Sequence, residues 1–312
     1  MSAKDQNRTM RLRIKVILNP SSGRETAKQK IDDILTYLSG QSALERADIY
    51  YTAARFDATK FAMDTDPSQY DLILAAGGDG TINEVITGLM RGRIDIPLAI
   101  YTSGTMNDFA VTTAQPKEPS EFARMLMNRK IEKVDCGKTG DMYFLNVLAG
   151  GLLTDVPYKA PTDLKTIFGP AAYWMAAMKD IPAAGKTIKI HLDSKEYKGD
   201  SECVLFLVSN SSSVGGFRNL MTNADIKDGL LDVLVLKRID DASTVISLIG
   251  KMVMQDHLAS DNVIYFQTKK IDISSADGKS AVLDVDGEEG PSLPVTVECI
   301  KDAINLIVPG EE

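Results

Sequence analysis

The string Gly77-Gly78-Asp79-Gly80-Thr81 has the composition of a phosphate-binding loop, and it stands between an apolar run and a helical pattern. Its glycines allow backbone N–H groups to approach a phosphate closely, and the start of the following helix adds positive potential. A tight turn in which Asp79 or Thr81 caps the helix is the alternative. Because Asn83 and Glu84 follow the complete string, phosphate binding is favoured. The chain has no GxxxxGKS/T string, and no complete GxGxxG follows this run, which disfavours an ordinary P-loop or dinucleotide-binding fold.

Three further polar strings could carry chemistry. Asn19-Pro20-Ser21-Ser22-Gly23 and Thr102-Ser103-Gly104-Thr105 each end a run that reads as a strand. Alone, the first is an ordinary turn, but its position upstream of the glycine-rich string favours a second phosphate-side loop. Asp286-Gly287-Glu288 lies late in the chain and could supply a carboxylate that accepts a proton. A plain hairpin is the alternative, because Asp-Gly is a strong turn signal.

Alternating strands and helices predict how these loops are positioned. Apolar residues recur with a period of two in the predicted strands and at helical spacing in the predicted helices. In the first half, the strands are residues 11–19, 47–52, 70–76 and 97–101, and the helices are residues 25–38 and 81–90. This alternation predicts a parallel sheet covered by helices, with ligands outside the carboxyl ends of the strands. The polar loops should therefore converge.

Strand-like runs predominate after Ile131. They cover residues 132–138, 143–149, 186–193, 203–210, 231–237, 263–267, 270–274, 281–286 and 293–300. Turn sequences at residues 139–141, 193–195 and 276–278 suit hairpins, so this half is predicted to be an antiparallel β-sandwich. The predicted domains are residues 1–136, joined by the tail 301–312, and residues 137–300.

The amino-acid composition restricts the binding partners that the protein can have. The chain has 312 residues, 44% of them hydrophobic and 25% charged, and a formal net charge of −8, so it has no overall basic field for nucleic acid. Its apolar runs fall short of the roughly 18 residues that a membrane-spanning helix needs. The polar N-terminus and three cysteines without a CxxC pair favour the cytoplasm. A homodimer is expected only as the commonest assembly of soluble proteins.

Together with the other motifs, the glycine-rich string resembles the diacylglycerol kinase catalytic domain family. That family includes bacterial diacylglycerol kinases and the sphingosine and ceramide kinases, and it is related more distantly to NAD kinases and phosphofructokinases. The matching segments occur in the family's order and are residues 19–23, 77–81, 104–110, 134–137, 228–232 and 286–288. The resemblance covers nearly the whole chain. It implies an α/β domain that binds ATP, with an NAD kinase-like and phosphofructokinase-like parallel sheet, followed by the β-sandwich.

The resemblance implies that ATP contacts the loops at the strand ends. The implied contact residues are Asn19, Ser22, Thr52, Gly78, Asp79, Gly80, Thr81, Glu84 and Thr105. It further implies that Asp79, Asp108 and Asp135 hold Mg²⁺ and water near the transferred phosphoryl group. Helix capping by Asp108 and a turn role for Asp135 are the alternatives.

The resemblance also assigns roles in the second half of the chain. Asp286 would act as general base on the acceptor hydroxyl, and Glu288 would support it by orienting it or sharing a proton. Asp225, Asp228 and the backbone carbonyl of Leu230 would form a second Mg²⁺ site. A solvated acidic turn is the alternative for this loop.

The predicted function is that of an ATP- and Mg²⁺-dependent lipid kinase that converts diacylglycerol to phosphatidic acid. It would be cytoplasmic and transiently bound to the inner face of the membrane. The apolar, aromatic segment Val156 to Met178 could admit an acyl chain or enter the bilayer surface, with core packing as the alternative. A kinase for another lipid alcohol, such as a sphingoid base or a polyprenol, and a non-catalytic nucleotide- or lipid-binding regulator are the competing functions.

Overall fold

The computed structural model describes residues 11–22, 26–102, 107–151 and 187–310. The chain divides into two compact units, residues 1–134 with 304–312 and residues 135–303. The sequence predicts these divisions at residues 136 and 301. In the described part of the chain, no helix is long and apolar enough to cross a membrane.

The first unit is a parallel sheet with helices packed against it. Its elements are β1 (Leu12–Leu18), α1 (Thr26–Gly40), β2 (Leu44–Tyr51), α2 (Asp57–Met63), β3 (Leu72–Gly77), α3 (Asp79–Gly92), β4 (Leu98–Thr102), α4 (Asp108–Thr112) and α5 (Pro119–Asn128). The strand order is β2-β1-β3-β4, and every neighbouring pair is parallel. The predicted α/β class is therefore confirmed.

The two faces of this sheet bury different side chains. Alternate residues of β1 from Leu12 to Leu18 contribute to a core shared with α1 and α5. On the other face, the Lys15 ammonium donates a hydrogen bond to the carbonyl oxygen of Phe61 in α2 at 2.6 Å, and burial lowers the pKa of Lys15. Helix α2 packs tightly on α3, since a Cβ atom at Gly88 would lie 2.3 Å from the Thr59 carbonyl oxygen. The two helices are thereby held in close contact with each other.

The second unit is the predicted antiparallel β-sandwich. Its elements are β5 (Ile131–Thr139), β6 (Met142–Phe144), β7 (Val147–Gly151), β8 (Ile188–Ser194), β9 (Lys198–Ser209), β10 (Leu231–Lys237), α6 (Ala242–Val253), β11 (Val263–Thr268), β12 (Lys270–Ser275), β13 (Val282–Val285), β14 (Glu288–Ser292) and β15 (Val295–Ile307). Strand β5 begins, and strand β15 ends, within the first unit. The end of β15 pairs in parallel with β4 there, through Leu306 and Leu98.

Two of the three predicted hairpins form, and one does not. The turns at residues 139–141 and 194–197 join the antiparallel pairs β5–β6 and β8–β9. The hairpin predicted at residues 276–278 is wrong, because β12 pairs with β8 and β15, whereas β13 pairs with β7 and β14. The local turn itself is real, since the Asp277 carboxylate accepts the Lys279 N–H at 3.2 Å. A favourable turn sequence reverses the direction of the chain, but it does not determine which strands pair.

Candidate active site

The glycine-rich string forms the turn from β3 into α3. Gly78 is the N-cap residue, with an extended backbone (φ −84°, ψ 178°), and α3 begins at Asp79. Packing explains the glycine at position 77, since a Cβ atom there would lie 2.6 Å from the Cβ of Thr81. The first N–H groups of a helix lack partners within the helix. This turn therefore presents the backbone donors of α3 without a side chain at positions 77 and 78, as phosphate binding requires.

Asn19, at the end of β1, is bound to this turn. Its side-chain Nδ2 donates to the Thr81 hydroxyl at 3.0 Å, and its backbone N–H donates to the Ala76 carbonyl at 2.9 Å. Its side-chain oxygen accepts the Ser21 N–H at 3.0 Å, and the Ser22 hydroxyl donates to the Asn19 carbonyl at 2.9 Å. The structure thus brings together the predicted nucleotide contacts Asn19, Ser22 and Thr81 at one edge of the sheet.

Thr52, another predicted nucleotide contact, lies at the same edge of the sheet. The Thr52 N–H donates to the Leu18 carbonyl at 3.0 Å, which sets Thr52 beside the end of β1. Thr105 lies outside the described residues, as does the predicted lipid-facing segment 156–178.

The Glu84 carboxylate is engaged by the backbone around the start of α2. Its two oxygens accept the N–H of Phe56 at 2.9 Å and the N–H of Ala58 at 3.2 Å. The Thr59 hydroxyl donates to the Glu84 carbonyl at 3.0 Å. Glu84, predicted as a nucleotide contact, therefore fixes the segment between β2 and α2 relative to α3.

Asp79 and Asp108 are connected through backbone. The Asp79 Oδ2 accepts the N–H of Asn107 at 3.1 Å. Asn107 directly precedes Asp108, the buried first residue of α4. The structure thereby brings two of the three predicted Mg²⁺-binding carboxylates into one region of the first unit.

Asp135 belongs to the second unit and is fully buried. One carboxylate oxygen accepts the Asp302 N–H at 2.7 Å, and the other accepts the Gly229 N–H at 2.6 Å. Both donor residues have left-handed backbone, with φ of 54° at Asp302 and 79° at Gly229. The Asp135 carboxylate therefore braces a bend in β15 and the acidic loop at residues 225–230.

That acidic loop is stabilised by its own side chains. Asp225 accepts the Lys227 N–H at 3.0 Å, and Asp228 accepts the Leu230 N–H at 2.8 Å. Burial, and then the nearby carboxylates of Asp225 and Asp135, raise the pKa of Asp228. Within residues 11–22, 26–102, 107–151 and 187–310, no group of three His, Cys, Asp or Glu side chains is arranged to hold a metal ion. The predicted site has two carboxylates and one carbonyl, and a cation there would relieve the repulsion at Asp228.

Asp232 is an acidic residue with no role predicted from the sequence. It is buried, the Tyr265 hydroxyl donates to its carboxylate, and burial raises the pKa of Asp232 to about 6. The Gln267 amide contacts both Asp232 and Asp228 at 3.5 Å. Asp232 thus extends the acidic network of the 225–230 loop into β10.

Asp286 and Gly287 form the two-residue turn between β13 and β14. Their φ angles of 51° and 87° are those of the turns that favour Asp-Gly in hairpins. The Asp286 carboxylate accepts the backbone N–H groups of Leu145 at 2.9 Å, Asn146 at 3.0 Å and Val147 at 2.8 Å. The segment is thus a hairpin turn, and the Asp286 carboxylate is fixed against the start of β7.

Glu288 follows this turn at the start of β14, and it is exposed. The two acidic residues of the motif therefore differ in environment. Asp286 is held by backbone donors, and Glu288 projects from the first residue of a strand.

Asn210 is a buried polar residue with no role predicted from the sequence. Its Nδ2 donates to the carbonyl of Asp135 at 3.0 Å and to that of Leu145 at 3.1 Å. Asn210 therefore links Leu145, whose N–H binds the Asp286 carboxylate, to Asp135, which braces the acidic loop. The signal was available in the polar run at residues 209–213, which follows an apolar strand directly.

Replacing Gly77 by alanine is expected to weaken ADP binding by about tenfold, at a cost near that of one good hydrogen bond. The added Cβ would displace the Thr81 side chain and with it the hydrogen bond from Asn19. Calorimetric titration with ADP measures the effect. Gly40→Ala is the matched control, because no atom lies within 4 Å of a Cβ atom at the last residue of α1. Equal ADP affinity in both variants would contradict the role given to this turn.

Two protein-family models match successive parts of this chain. Residues 13–139 match the diacylglycerol kinase catalytic domain, and residues 155–308 match the YegS C-terminal NAD kinase beta sandwich-like domain. A diacylglycerol kinase of Bacillus subtilis is 32% identical over 303 residues, which cover 96% of this chain and 97% of the relative. A diacylglycerol kinase of Staphylococcus epidermidis is 33% identical over 96% of this chain and 93% of its own.

Crystal structures from Bacillus anthracis share the fold. One superposes with a TM-score of 0.81 at 26% identity, covering 95% of both chains. Another, described as a diacylglycerol kinase, has a TM-score of 0.77 at 25% identity and covers 95% of this chain and 96% of its own. The likeness extends over both units.

Proposed function

Because the chain belongs to the diacylglycerol kinase family, we propose that it transfers the γ-phosphate of ATP to the hydroxyl of diacylglycerol and so forms phosphatidic acid. The observation that carries this proposal is the hydrogen bond from Asn19 to Thr81, which joins two loops at the start of α3. Backbone N–H groups at a helix start can bind the phosphates of a nucleotide and stabilise the charge on a phosphoryl group in transfer.

Asp79 and Asp108 are the residues proposed to hold Mg²⁺ at the nucleotide. Their oxygens are the ligand type that Mg²⁺ prefers, and the Asn107 N–H orients the Asp79 carboxylate. Mg²⁺, when bound, would offset the negative charge of the phosphates. Asp135, whose oxygens both accept backbone N–H groups, is better suited to bracing its own unit.

We propose that the segment from Asp286 to Glu288 supplies the general base. Three backbone donors occupy the Asp286 carboxylate, which leaves few of its lone pairs to take a proton. Glu288 is exposed at the start of β14. These environments favour Glu288 as the proton acceptor and Asp286 as the group that fixes the turn, which reverses the assignment predicted from the sequence.

Diacylglycerol is a membrane lipid, so we propose that the protein acts at the inner face of the membrane and binds there transiently. ADP release that depends on both diacylglycerol in mixed micelles and Mg²⁺ is the experiment that tests this proposal. ADP release that is unaffected by lipid would contradict it.

Mg²⁺ is expected to raise the midpoint of thermal unfolding by a few degrees, on the order of 2–4 °C for each kcal/mol of binding free energy. The reason is that a cation at Asp225 and Asp228 would offset their repulsion. Asp228→Asn should abolish the increase. Asp240→Asn is the matched control, since Asp240 is an exposed carboxylate in the same unit. An equal increase in both variants would place the ion elsewhere.

A further inference from the structure

Phe56 combines an exposed side chain with a strained backbone. The residue is 60% exposed, and its φ of 70° and ψ of 3° lie in the left-handed region. That region is costly for a bulky aromatic residue and persists only where the surroundings enforce it. Exposed hydrophobic residues are common on protein surfaces. An exposed aromatic ring on a strained backbone is not explained by core packing or by backbone preference.

The position of Phe56 in the fold makes the strain unusual. Arg93 and Arg129 also have positive φ, but each is the C-cap of a helix, where the left-handed conformation is common. Phe56 instead precedes helix α2, and the residue before a helix normally has an extended backbone. The geometry of the helix therefore does not account for Phe56.

Two carboxylates hold the segment around Phe56 in place. Glu84 accepts the N–H of Phe56 at 2.9 Å. Asp57 accepts the N–H groups of Ala53 and Ala54, both at 2.8 Å, and these bonds lower the pKa of Asp57. The ring is thus presented from a rigid turn.

The Phe56 ring already contacts a cation. The guanidinium carbon of Arg55 lies 4.9 Å from the ring centroid, within the range of a cation–π contact. An aromatic ring and a guanidinium plane are the two protein groups on which nucleic acid bases stack.

The segment lies next to the residues proposed to bind the nucleotide. It follows Thr52 at the end of β2 and is bound directly to Glu84 in α3. With a helical rise of about 1.5 Å per residue, Glu84 lies roughly 7.5 Å along the axis from the start of α3. A nucleotide whose phosphates occupy the start of α3 can extend over that distance to its base.

We propose that Phe56, supported by Arg55, is the stacking surface for the purine base of the bound nucleotide. The inference rests on the proposed function and adds to it a residue that determines nucleotide affinity. It explains why the chain keeps a phenylalanine where the backbone favours glycine.

The test compares Phe56→Gly, Phe56→Tyr and the unmodified protein, titrated with ADP and with tripolyphosphate, which lacks a base. Phe56→Gly is expected to bind ADP about tenfold more weakly, as loss of a stacked base predicts, and to bind tripolyphosphate unchanged. Phe56→Tyr should retain ADP affinity. The unfolding temperature of Phe56→Gly should not fall, because glycine adopts positive φ without strain.

Arg93→Gly is the matched control, since it relieves a positive φ at an exposed residue away from the loops. It should leave both affinities unchanged. Equal ADP affinity in Phe56→Gly and the unmodified protein would overturn the inference, and so would a parallel loss of tripolyphosphate binding. If the unmodified protein binds neither ADP nor tripolyphosphate, the proposed function fails and the inference fails with it.

Discussion

Replacement of Glu288 by glutamine is expected to lower kcat for phosphate transfer by roughly 100- to 10,000-fold, the usual contribution of a general base. Glutamine keeps the size of the side chain but cannot accept the hydroxyl proton. ADP affinity should be unchanged, because no proposed nucleotide contact is altered. The measurement is kcat with diacylglycerol in mixed micelles as a function of pH.

Substitutions at the adjacent carboxylates distinguish a chemical role of Glu288 from a positional one. Glu289→Gln is the matched control, since Glu289 is the next exposed residue of β14. Asp286→Asn turns an amide group toward the N–H donors of residues 145–147 and should therefore lower stability as well as kcat. Glu289→Gln should leave kcat unchanged. Full activity in Glu288→Gln, with kcat lost in Asp286→Asn, would return the role of base to Asp286.

Asp135→Ala is expected to lower the free energy of unfolding by about 3–5 kcal/mol. The substitution leaves the N–H groups of Gly229 and Asp302 without their charged acceptor, and each such hydrogen bond contributes about 1.5–3 kcal/mol. Asp302 also has a left-handed backbone, which is costly for a residue other than glycine, so the carboxylate holds a conformation there that would otherwise relax. Chemical denaturation of the purified protein measures the loss.

The control for Asp135 is a carboxylate in an exposed ion pair. Asp193→Ala removes the partner of Lys198 on the surface of β8, and an ion pair of that kind contributes about 0–1 kcal/mol. A loss below about 1 kcal/mol in Asp135→Ala would show that the backbone donors find other partners. The bracing role would then be wrong.

The parallel sheet, and the convergence of its loops at one edge, can be predicted from the sequence. Period-two runs before Asn19 and Gly77, with helical patterns after them, are enough to put both loops at one edge, because parallel strands present their carboxyl ends together. The hydrogen bond between Asn19 and Thr81 is the direct consequence. Glycine at position 77 was predicted for phosphate access, and the structure adds a packing reason.

Other features depend on contacts between distant parts of the chain. The Asp286 carboxylate is held by residues about 140 positions earlier in the sequence, and no local pattern encodes that pairing. The Glu84 contacts depend on how α2 packs against α3, and α2 has only seven residues. Helix α6 was also missed, although its Val245 and Leu248 pack in a core with β9 and β10. In each case tertiary packing, rather than periodicity, determines the arrangement.

Labelled phosphate transfer from γ-labelled ATP to diacylglycerol in mixed micelles with Mg²⁺ is the most direct measurement, with ceramide, sphingosine and polyprenol offered in parallel. The result expected is labelled phosphatidic acid, with little label in the other lipids and almost none with the Glu288→Gln protein. A protein that binds ADP but labels none of these lipids would contradict the assignment as a lipid kinase, and preferential labelling of another lipid would contradict diacylglycerol as its substrate.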